Sequence, residues 1–195
     1  MTSDPVLHLI VGPNGAGKTT FHDEILRPVT DLPFVNADII AAELWPGDAA
    51  AHAYEAATLA SRERQRRIDE RLSFVAETVF SHESKLMLIR SAHTAGFQVT
   101  LHVVLIPEEL AVARVVDRVT NGGHWVPEGK VRERFGRLWT LVRTAIDESD
   151  QANVYENTRA AHPFRVVANF SHGRLTGYPD WPTWTPPELI DGRGA

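Results

Sequence analysis

Short apolar runs alternate along the chain with longer stretches in which apolar residues recur at helical spacing. The short runs are bounded by glycine, proline or polar residues, which predicts strands at 6–11, 34–38, 74–80, 97–106 and 153–155. The longer stretches predict helices at 18–26, 39–45, 48–71, 83–95, 108–119 and 127–146. Strands that alternate with helices form right-handed crossovers. We therefore expect an α/β fold with a five-stranded, mainly parallel sheet and helices on both faces.

The last part of the chain predicts a short hairpin and a tail. Residues 164–175 alternate weakly around a His-Gly pair, which is typical of a hairpin. Residues 178–195 begin with a segment dense in proline and tryptophan, and we expect this tail to pack on the body of the protein. A chain of 195 residues without an evident linker or repeat predicts one domain, here 1–177, followed by the tail.

Composition and charge narrow the range of functions. Apolar residues make up 43% and charged residues 23%, which is typical of a globular protein. No stretch approaches the roughly 18 consecutive apolar residues that a membrane span needs. The absence of cysteine excludes disulfides and thiolate metal sites and favours a cytoplasmic location. A formal charge of −5 argues against a nucleic-acid partner, since such proteins are usually basic.

A phosphate-binding motif follows the first predicted strand. Residues 12–19 read GPNGAGKT and match G-x-x-x-x-G-K-[ST] between a strand and a helix. Its glycines let backbone N–H groups converge on phosphate oxygens, and the helix N-terminus adds partial positive charge. The motif predicts ATP as a ligand, with Lys18 at the β- and γ-phosphates and the Thr19 hydroxyl on Mg²⁺. The predicted nucleotide-binding residues are Gly12, Pro13, Asn14, Gly15, Ala16, Gly17, Lys18, Thr19 and Thr20.

Further motifs follow this loop in a fixed order: FVNAD, FVAET, ARVVDRV, GGHWVPE and VYEN. Together with the loop they span residues 7–157, and the set resembles the small zeta-toxin-like P-loop kinases. The resemblance implies a three-layer P-loop kinase fold and an enzyme that uses Mg²⁺ and ATP to phosphorylate a hydroxyl. It also implies a small-molecule acceptor of the class of UDP-linked N-acetyl amino sugars, and an antitoxin protein as a partner.

Two carboxylates lie where predicted strands end. Asp38 ends the second strand, at the edge of the sheet where ligands bind, and the resemblance makes it the base that accepts the hydroxyl proton. A helix cap is the alternative role for Asp38. Glu77 interrupts the apolar third strand, where an unpaired buried carboxylate is costly. We expect Glu77 to position the acceptor together with Thr78, while an ion pair with a structural arginine is its alternative role.

Basic residues further along the chain are candidates for contacts to the phosphates. Arg114 and Arg118 are four residues apart on one helix face, so both could reach a cleft, although each could also lie on a solvated face. We expect Arg114 to contact ATP and Arg118 to act in catalysis. The following segment, about 120–147, resembles the lid of the toxins, and there His124 is the expected contact to the acceptor. The residues that could complete the phosphate clamp are His124, Arg132 and Arg134.

Two other functions fit the same motifs. A polynucleotide 5′-hydroxyl kinase would use the same loop and base, although the net charge of −5 counts against it. A nucleotide-gated interaction module would bind ATP without transferring a phosphoryl group. Two carboxylates at separate strand ends favour the enzyme, because a module that only binds nucleotide needs neither of them.

The arginine-rich stretch 62–71 is not a predicted binding site. Its five arginines are met by Glu63, Asp69 and Glu70. Because acids and arginines recur there at the spacing of exposed ion pairs on a helix, the stretch predicts a solvated helix face.

Overall fold

Seven strands form one sheet in the computed structural model of the chain, which describes residues 4–80, 82–120 and 127–190. The strands are β1 (Val6–Val11), β2 (Phe34–Val35), β3 (Phe74–Thr78), β4 (Gln98–Leu105), β5 (Gln151–Glu156), β6 (Arg165–Ser171) and β7 (Arg174–Thr176). Their spatial order is β2-β3-β1-β4-β5-β6-β7. Strands β1 to β5 run parallel, and β6 and β7 continue the sheet as an antiparallel hairpin. The segments that follow β1, β2 and β3 therefore meet at one edge of the sheet.

Helices connect the parallel strands, and a last short helix follows the hairpin. They are α1 (Lys18–Phe21), α2 (Arg27–Thr30), α3 (Ala37–Leu44), α4 (Ala53–Asp69), α5 (Leu86–Thr94), α6 (Glu108–Thr120), α7 (Glu128–Glu148) and α8 (Pro187–Ile190). A π-helical segment, His22–Leu26, joins α1 to α2, and a 3-10 turn, Glu83–Lys85, precedes α5.

Both faces of the sheet are buried. Because successive side chains of a strand point to opposite faces, Leu9 and Ile10 of β1 belong to different clusters. Leu9 shares a buried cluster with residues of α4, α5 and α7, whereas Ile10 packs with residues of α1 and α6. This double coverage explains why the parallel strands read as almost continuous apolar runs.

The predicted α/β fold is confirmed, with differences in detail. The hairpin pairs with β5, so the sheet has seven strands rather than five. Strand β2 ends at Val35 and α3 begins at Ala37, because the Asn36 side chain caps this helix. Asp38 therefore lies in the first turn of α3 and is neither the end of a strand nor the cap. Helix α4 begins at Ala53, later than predicted.

The tail contacts the larger of the two buried clusters. Trp181 and Trp184 pack against it, and Leu189 of the short helix α8, which the sequence pattern did not predict, is buried within it. Within the described residues, no helix combines the length and the apolar character that crossing a membrane requires.

Candidate active site

The phosphate loop joins β1 to α1 and lies close against β4 and the residue after β5. Gly12 has φ +151°, and a Cβ at this position would lie 2.5 Å from the Val104 carbonyl oxygen. Gly17 has φ +86°, and a Cβ there would lie 2.7 Å from Nδ2 of Asn157. Any other residue would bring both backbone strain and a clash, so the path of the loop requires glycine at these two positions.

Lys18 and Thr19 open α1, and both contact a carboxylate of β3. The Lys18 ammonium donates to the Pro13 carbonyl at 3.0 Å and lies 3.7 Å from Oε1 of Glu77. The Thr19 hydroxyl donates to Oε2 of the same carboxylate at 2.9 Å. Because the Lys18 side chain is only 6% exposed, Glu77 rather than water compensates its charge. The two residues that the motif assigns to phosphate and Mg²⁺ thus meet at one carboxylate. Thr19 and Thr20 are both exposed.

Glu77 is the centre of a hydrogen-bonded network. Strand β3 pairs with β1 in a register that aligns Glu77 with Ile10, just before the phosphate loop. The Asn36 side chain donates from Nδ2 to Oε2 of Glu77 at 2.7 Å. Its Oδ1 accepts from the backbone N–H of Asp38, also at 2.7 Å. This amide orientation satisfies both partners, since a carboxylate can only accept and a backbone N–H can only donate.

Asp38 and Thr78, both predicted to meet the acceptor, lie next to this network. Asp38 is exposed on the first turn of α3, which Asn36 ties to Glu77. Thr78 follows Glu77 in β3 and is half-buried, and its hydroxyl oxygen accepts from the Phe80 N–H at 3.3 Å. The network thus brings the phosphate loop, the end of β3 and the start of α3 to one edge of the sheet.

The opposite flank of the loop is held by Arg114 of α6 and Asn157, the residue after β5. The Arg114 guanidinium donates to the Gly15 carbonyl at 3.3 Å and to the Asn157 carbonyl at 3.0 Å. The Asn157 amide in turn donates to the Ala16 carbonyl at 2.9 Å. Burial lowers the pKa of Arg114, yet an arginine stays charged at neutral pH. The sequence predicts that Arg114 contacts ATP, whereas in the structure its guanidinium donates to two main-chain carbonyls.

The other predicted site residues lie on α6, on α7 or outside the described part of the chain. The Arg118 side chain and the whole of His124 are outside the described residues. Arg132 links α7 to the start of α6 through ion pairs with Glu109 at 2.7 Å and Glu108 at 3.2 Å, and it also pairs with Glu128 of its own helix at 2.9 Å. Arg134 is half-buried on α7. Among the residues that could complete the phosphate clamp, Arg132 is therefore already ion-paired with glutamates.

Sequence reasoning gave no role of its own to Asn36 and considered Asn157 only as part of the VYEN motif, either near the nucleotide or as a plain strand end, although both are central to the site. Their side chains are buried and bond the Glu77 carboxylate and the loop main chain, respectively. Each asparagine directly follows a buried strand of the parallel sheet. That position is the signal that could have identified them, since ligand sites of such sheets form beyond the carboxyl ends of the strands.

Comparison with known proteins assigns the chain to a family. The family described as an AAA domain matches residues 7–138, which is more than half of the chain. The chain belongs to this family. The matched region contains the phosphate loop, Asp38, Glu77 and Arg114, whereas Asn157 lies beyond it.

One relative is similar in sequence, and several solved structures are similar in fold. An uncharacterised protein of Haemophilus influenzae is 29% identical over 128 residues, which cover 64% of this chain and 88% of the relative. A chain of the AvrRxo1-ORF1:AvrRxo1-ORF2 complex with sulphate ions is 18% identical, with a TM-score of 0.71 over 89% of this chain. This chain spans only 60% of the length of that AvrRxo1 chain.

Two further structures extend the comparison. A chain of the PezAT toxin–antitoxin system of Streptococcus pneumoniae is 13% identical, with a TM-score of 0.63 over 87% of this chain and 74% of that chain. Shikimate kinase from Acinetobacter baumannii, in complex with shikimate, is 19% identical, with a TM-score of 0.53 over 80% of this chain and 86% of that chain. At such identities the likeness shows the fold alone, and this AAA domain has a P-loop kinase fold.

Proposed function

We propose that this protein is an ATP-dependent kinase that phosphorylates a hydroxyl group of a small molecule. The observation that supports this most strongly is the network from the Asp38 backbone through Asn36 and Glu77 to Thr19 and Lys18. It ties a candidate base to the phosphate loop in one fixed arrangement. A protein that only binds nucleotide does not need this link.

Asp38 is the general base of the proposed reaction. Its carboxylate accepts the proton of the acceptor hydroxyl while the hydroxyl oxygen forms a bond to the γ-phosphorus. The bond between the γ-phosphorus and the bridging oxygen breaks, and this oxygen leaves with the electron pair as part of ADP. Lys18 places its positive charge at the β- and γ-phosphates, where negative charge must be stabilised during transfer.

The residues around the loop fit an Mg²⁺–ATP complex. The Thr19 hydroxyl and the Glu77 carboxylate, 2.9 Å apart, supply the oxygen ligands that Mg²⁺ prefers. Mg²⁺ would neutralise negative charge on the β- and γ-phosphates. Oδ1 of Asn14 is buried and accepts no hydrogen bond within the described residues, which leaves a polar atom of the loop for a ligand. We assign Glu77 to the metal side of the site rather than to the acceptor.

A transfer assay tests the proposed function. Wild-type protein is incubated with ATP, Mg²⁺ and fractionated metabolite extracts, and the products are followed by phosphorus NMR and mass spectrometry. We expect ADP and a new phosphomonoester in equal amounts, and neither with Lys18→Ala. An oligonucleotide with a 5′-hydroxyl serves as a second acceptor, and its preferential phosphorylation would contradict a small-molecule kinase. Tight ATP binding without any transfer would instead support the interaction module.

Because the chain resembles the zeta toxins, we extend the proposal to a nucleotide sugar as the acceptor and an antitoxin protein as a partner. If the acceptor is a cell-wall precursor, expression in bacteria slows growth, and Asp38→Asn relieves the effect. Equal growth of the two strains at matched protein levels would remove the toxin role and leave the kinase untouched.

A further inference from the structure

A cleft of about 190 Å³ opens beside the candidate active site. It lies between α4, the 3-10 turn before α5 and the carboxyl end of β3. Leu9 and Ala76 contribute apolar surface to it, and Glu77 and Thr78 line the side nearest the phosphate loop. The cleft therefore begins where the network around Glu77 ends.

Two cations from different elements line this cleft. Arg64 projects from α4 and Lys85 from the 3-10 turn, and they are close enough for the charge of Arg64 to affect Lys85. Burial lowers the pKa of both groups, and the Arg64 charge lowers the pKa of Lys85 further. Within 4–80, 82–120 and 127–190, neither forms an ion pair. Two partly buried like charges that form no ion pair with an acid are costly unless a ligand compensates them.

The neighbouring acids are already engaged. Glu63 of α4 pairs with Arg66 at 2.8 Å and with Arg67 at 2.7 Å. Glu77, the acid that lines the cleft itself, is held by the network at its other end. The solvated helix face predicted for residues 62–71 therefore applies to Arg66 and its acidic partners. Arg64 lies on the side of α4 that faces the cleft.

We propose that Arg64 and Lys85 bind a phosphate group of the acceptor, so that the substrate of this site is a phosphorylated hydroxyl compound. Two cations match the charge of about −1.5 to −2 on a phosphate monoester at neutral pH. The hydroxyls of Ser61 and Ser91, which also line the cleft, can donate to the remaining phosphate oxygens. A ligand anchored there extends toward Glu77 and Thr78, and hence toward the γ-phosphate site.

The size of the cleft limits what it can enclose. Sites for drug-sized ligands usually measure about 300–1,000 Å³, so 190 Å³ encloses one phosphate and a few carbon atoms. The phosphate could belong to a sugar phosphate or to the diphosphate of a nucleotide sugar. The shared chemistry is a phosphate that lies a few atoms from the accepting hydroxyl.

A binding experiment tests the phosphate subsite separately from catalysis, because the inference depends on the proposed function only in calling the ligand an acceptor. The full chain is saturated with Mg²⁺ and a non-hydrolysable ATP analogue, which blocks the loop, and inorganic phosphate is titrated by calorimetry. Arg64→Gln and Lys85→Gln should each weaken phosphate binding at least about 10-fold, as for hydrogen bonds to a charged group. Arg62→Gln removes an exposed charge on the same helix outside the cleft and should change nothing.

A set of acceptors tests the substrate class. Glucose 6-phosphate, UDP-N-acetylglucosamine, gluconate and glucose are compared as acceptors at fixed Mg²⁺–ATP. We expect transfer to one or both phosphorylated compounds, with KM raised at least about 10-fold by Arg64→Gln and the KM for ATP unchanged. Faster transfer to glucose or gluconate, or unaltered phosphate binding by both folded variants, would overturn the inference. Phosphate binding that depends on Arg64, without transfer to any of these four compounds, would keep the phosphate subsite and contradict its assignment to the acceptor.

Discussion

The two flanks of the phosphate loop are built from different kinds of contact. On the α6 and β5 side, Arg114 and Asn157 donate to main-chain carbonyls of the loop. On the β3 side, Glu77 accepts from the Thr19 side chain and neutralises Lys18. Bonds to the main chain fix the shape of the loop, whereas bonds between side chains can be exchanged for bonds to a ligand. We infer that the first flank supports the loop and that the second carries the chemistry.

The largest effect is expected at Lys18, on the β3 flank. Lys18→Ala removes the charge at the β- and γ-phosphates, and transfer should fall about 100- to 1,000-fold, as for loss of one preorganised electrostatic donor. The fold should persist, because Glu77 keeps its bonds to Thr19 and Asn36. Single-turnover transfer and thermal melting measure the two quantities. Wild-type turnover in the variant would contradict the assignment of the loop.

Glu77→Gln tests the chemical flank alone. The neutral amide keeps the size of the side chain but is a poor metal ligand, so the Mg²⁺ concentration for half-maximal transfer should rise about 10- to 100-fold. Titration of activity with Mg²⁺ at saturating ATP gives this value. If the Mg²⁺ requirement stays unchanged and only the KM of the acceptor rises, Glu77 positions the acceptor, as the sequence predicts.

Arg114→Ala tests the supporting flank. The change leaves the Gly15 and Asn157 carbonyls without their donor, and the free energy of unfolding should fall by about 1–2 kcal/mol. Denaturant unfolding measures this loss, with Arg62→Ala as an exposed control. The Mg²⁺ requirement should not change. If the Mg²⁺ requirement of Arg114→Ala rises as much as that expected for Glu77→Gln, the two flanks do not have different roles.

A smaller effect is expected when the pH is lowered: the protein should lose stability because of two histidines in the sheet beneath the supporting flank. His8 lies 3.0 Å from His102, which lies 3.3 Å from the Tyr155 hydroxyl. Burial lowers the pKa of His102 to about 3 and also lowers that of His8. The unfolded chain therefore binds more protons below its histidine pKa of about 6.5, and stability is lost as the pH falls through that value.

The size of this acid effect follows from linkage. Between pH 7.5 and 5.5, the free energy of unfolding should fall by about 1–2 kcal/mol. His102→Gln should remove about 1 kcal/mol of this dependence, whereas His162→Gln, at an exposed histidine, should not. Denaturant unfolding at both pH values measures the difference. An identical pH dependence in His102→Gln would show that the buried pair does not titrate on unfolding.

The sequence was most informative where local pattern and chemistry coincide. The bounds of β1, the glycine turn and the start of α1 were all predictable, because a buried strand, left-handed glycines and a helix N-terminus each leave a local signature. The contacts between side chains of different helices and strands were not predictable. Arg64 lies four residues from Ala60 and from Ile68, so helical spacing places it on the buried face of α4, whereas Arg66 lies off that face. Only the packing of α4 beside β3 decides that the buried face opens onto a cleft at Arg64.

The capping of α3 shows the same limit at shorter range. Asn36 and Asp38 are both good helix caps, and the sequence alone does not choose between them. In the structure Asn36 caps the helix and also reaches Glu77, a contact that depends on the pairing of β2 with β3. Asp38 is thereby moved into the first turn of the helix, where its carboxylate is exposed.

Asp38→Asn tests the central claim, that this site transfers phosphate to a hydroxyl. A general base contributes about 10²–10⁴-fold in rate, so single-turnover transfer should slow at least about 100-fold. Since Asn36 caps the helix, the variant should melt within a few degrees of wild type, and ATP–Mg²⁺ should bind within a few-fold of its normal affinity. Calorimetry, melting and transfer are measured on one preparation. Near-normal transfer, or a collapse of ATP affinity together with the rate, would contradict the role of Asp38 as the base.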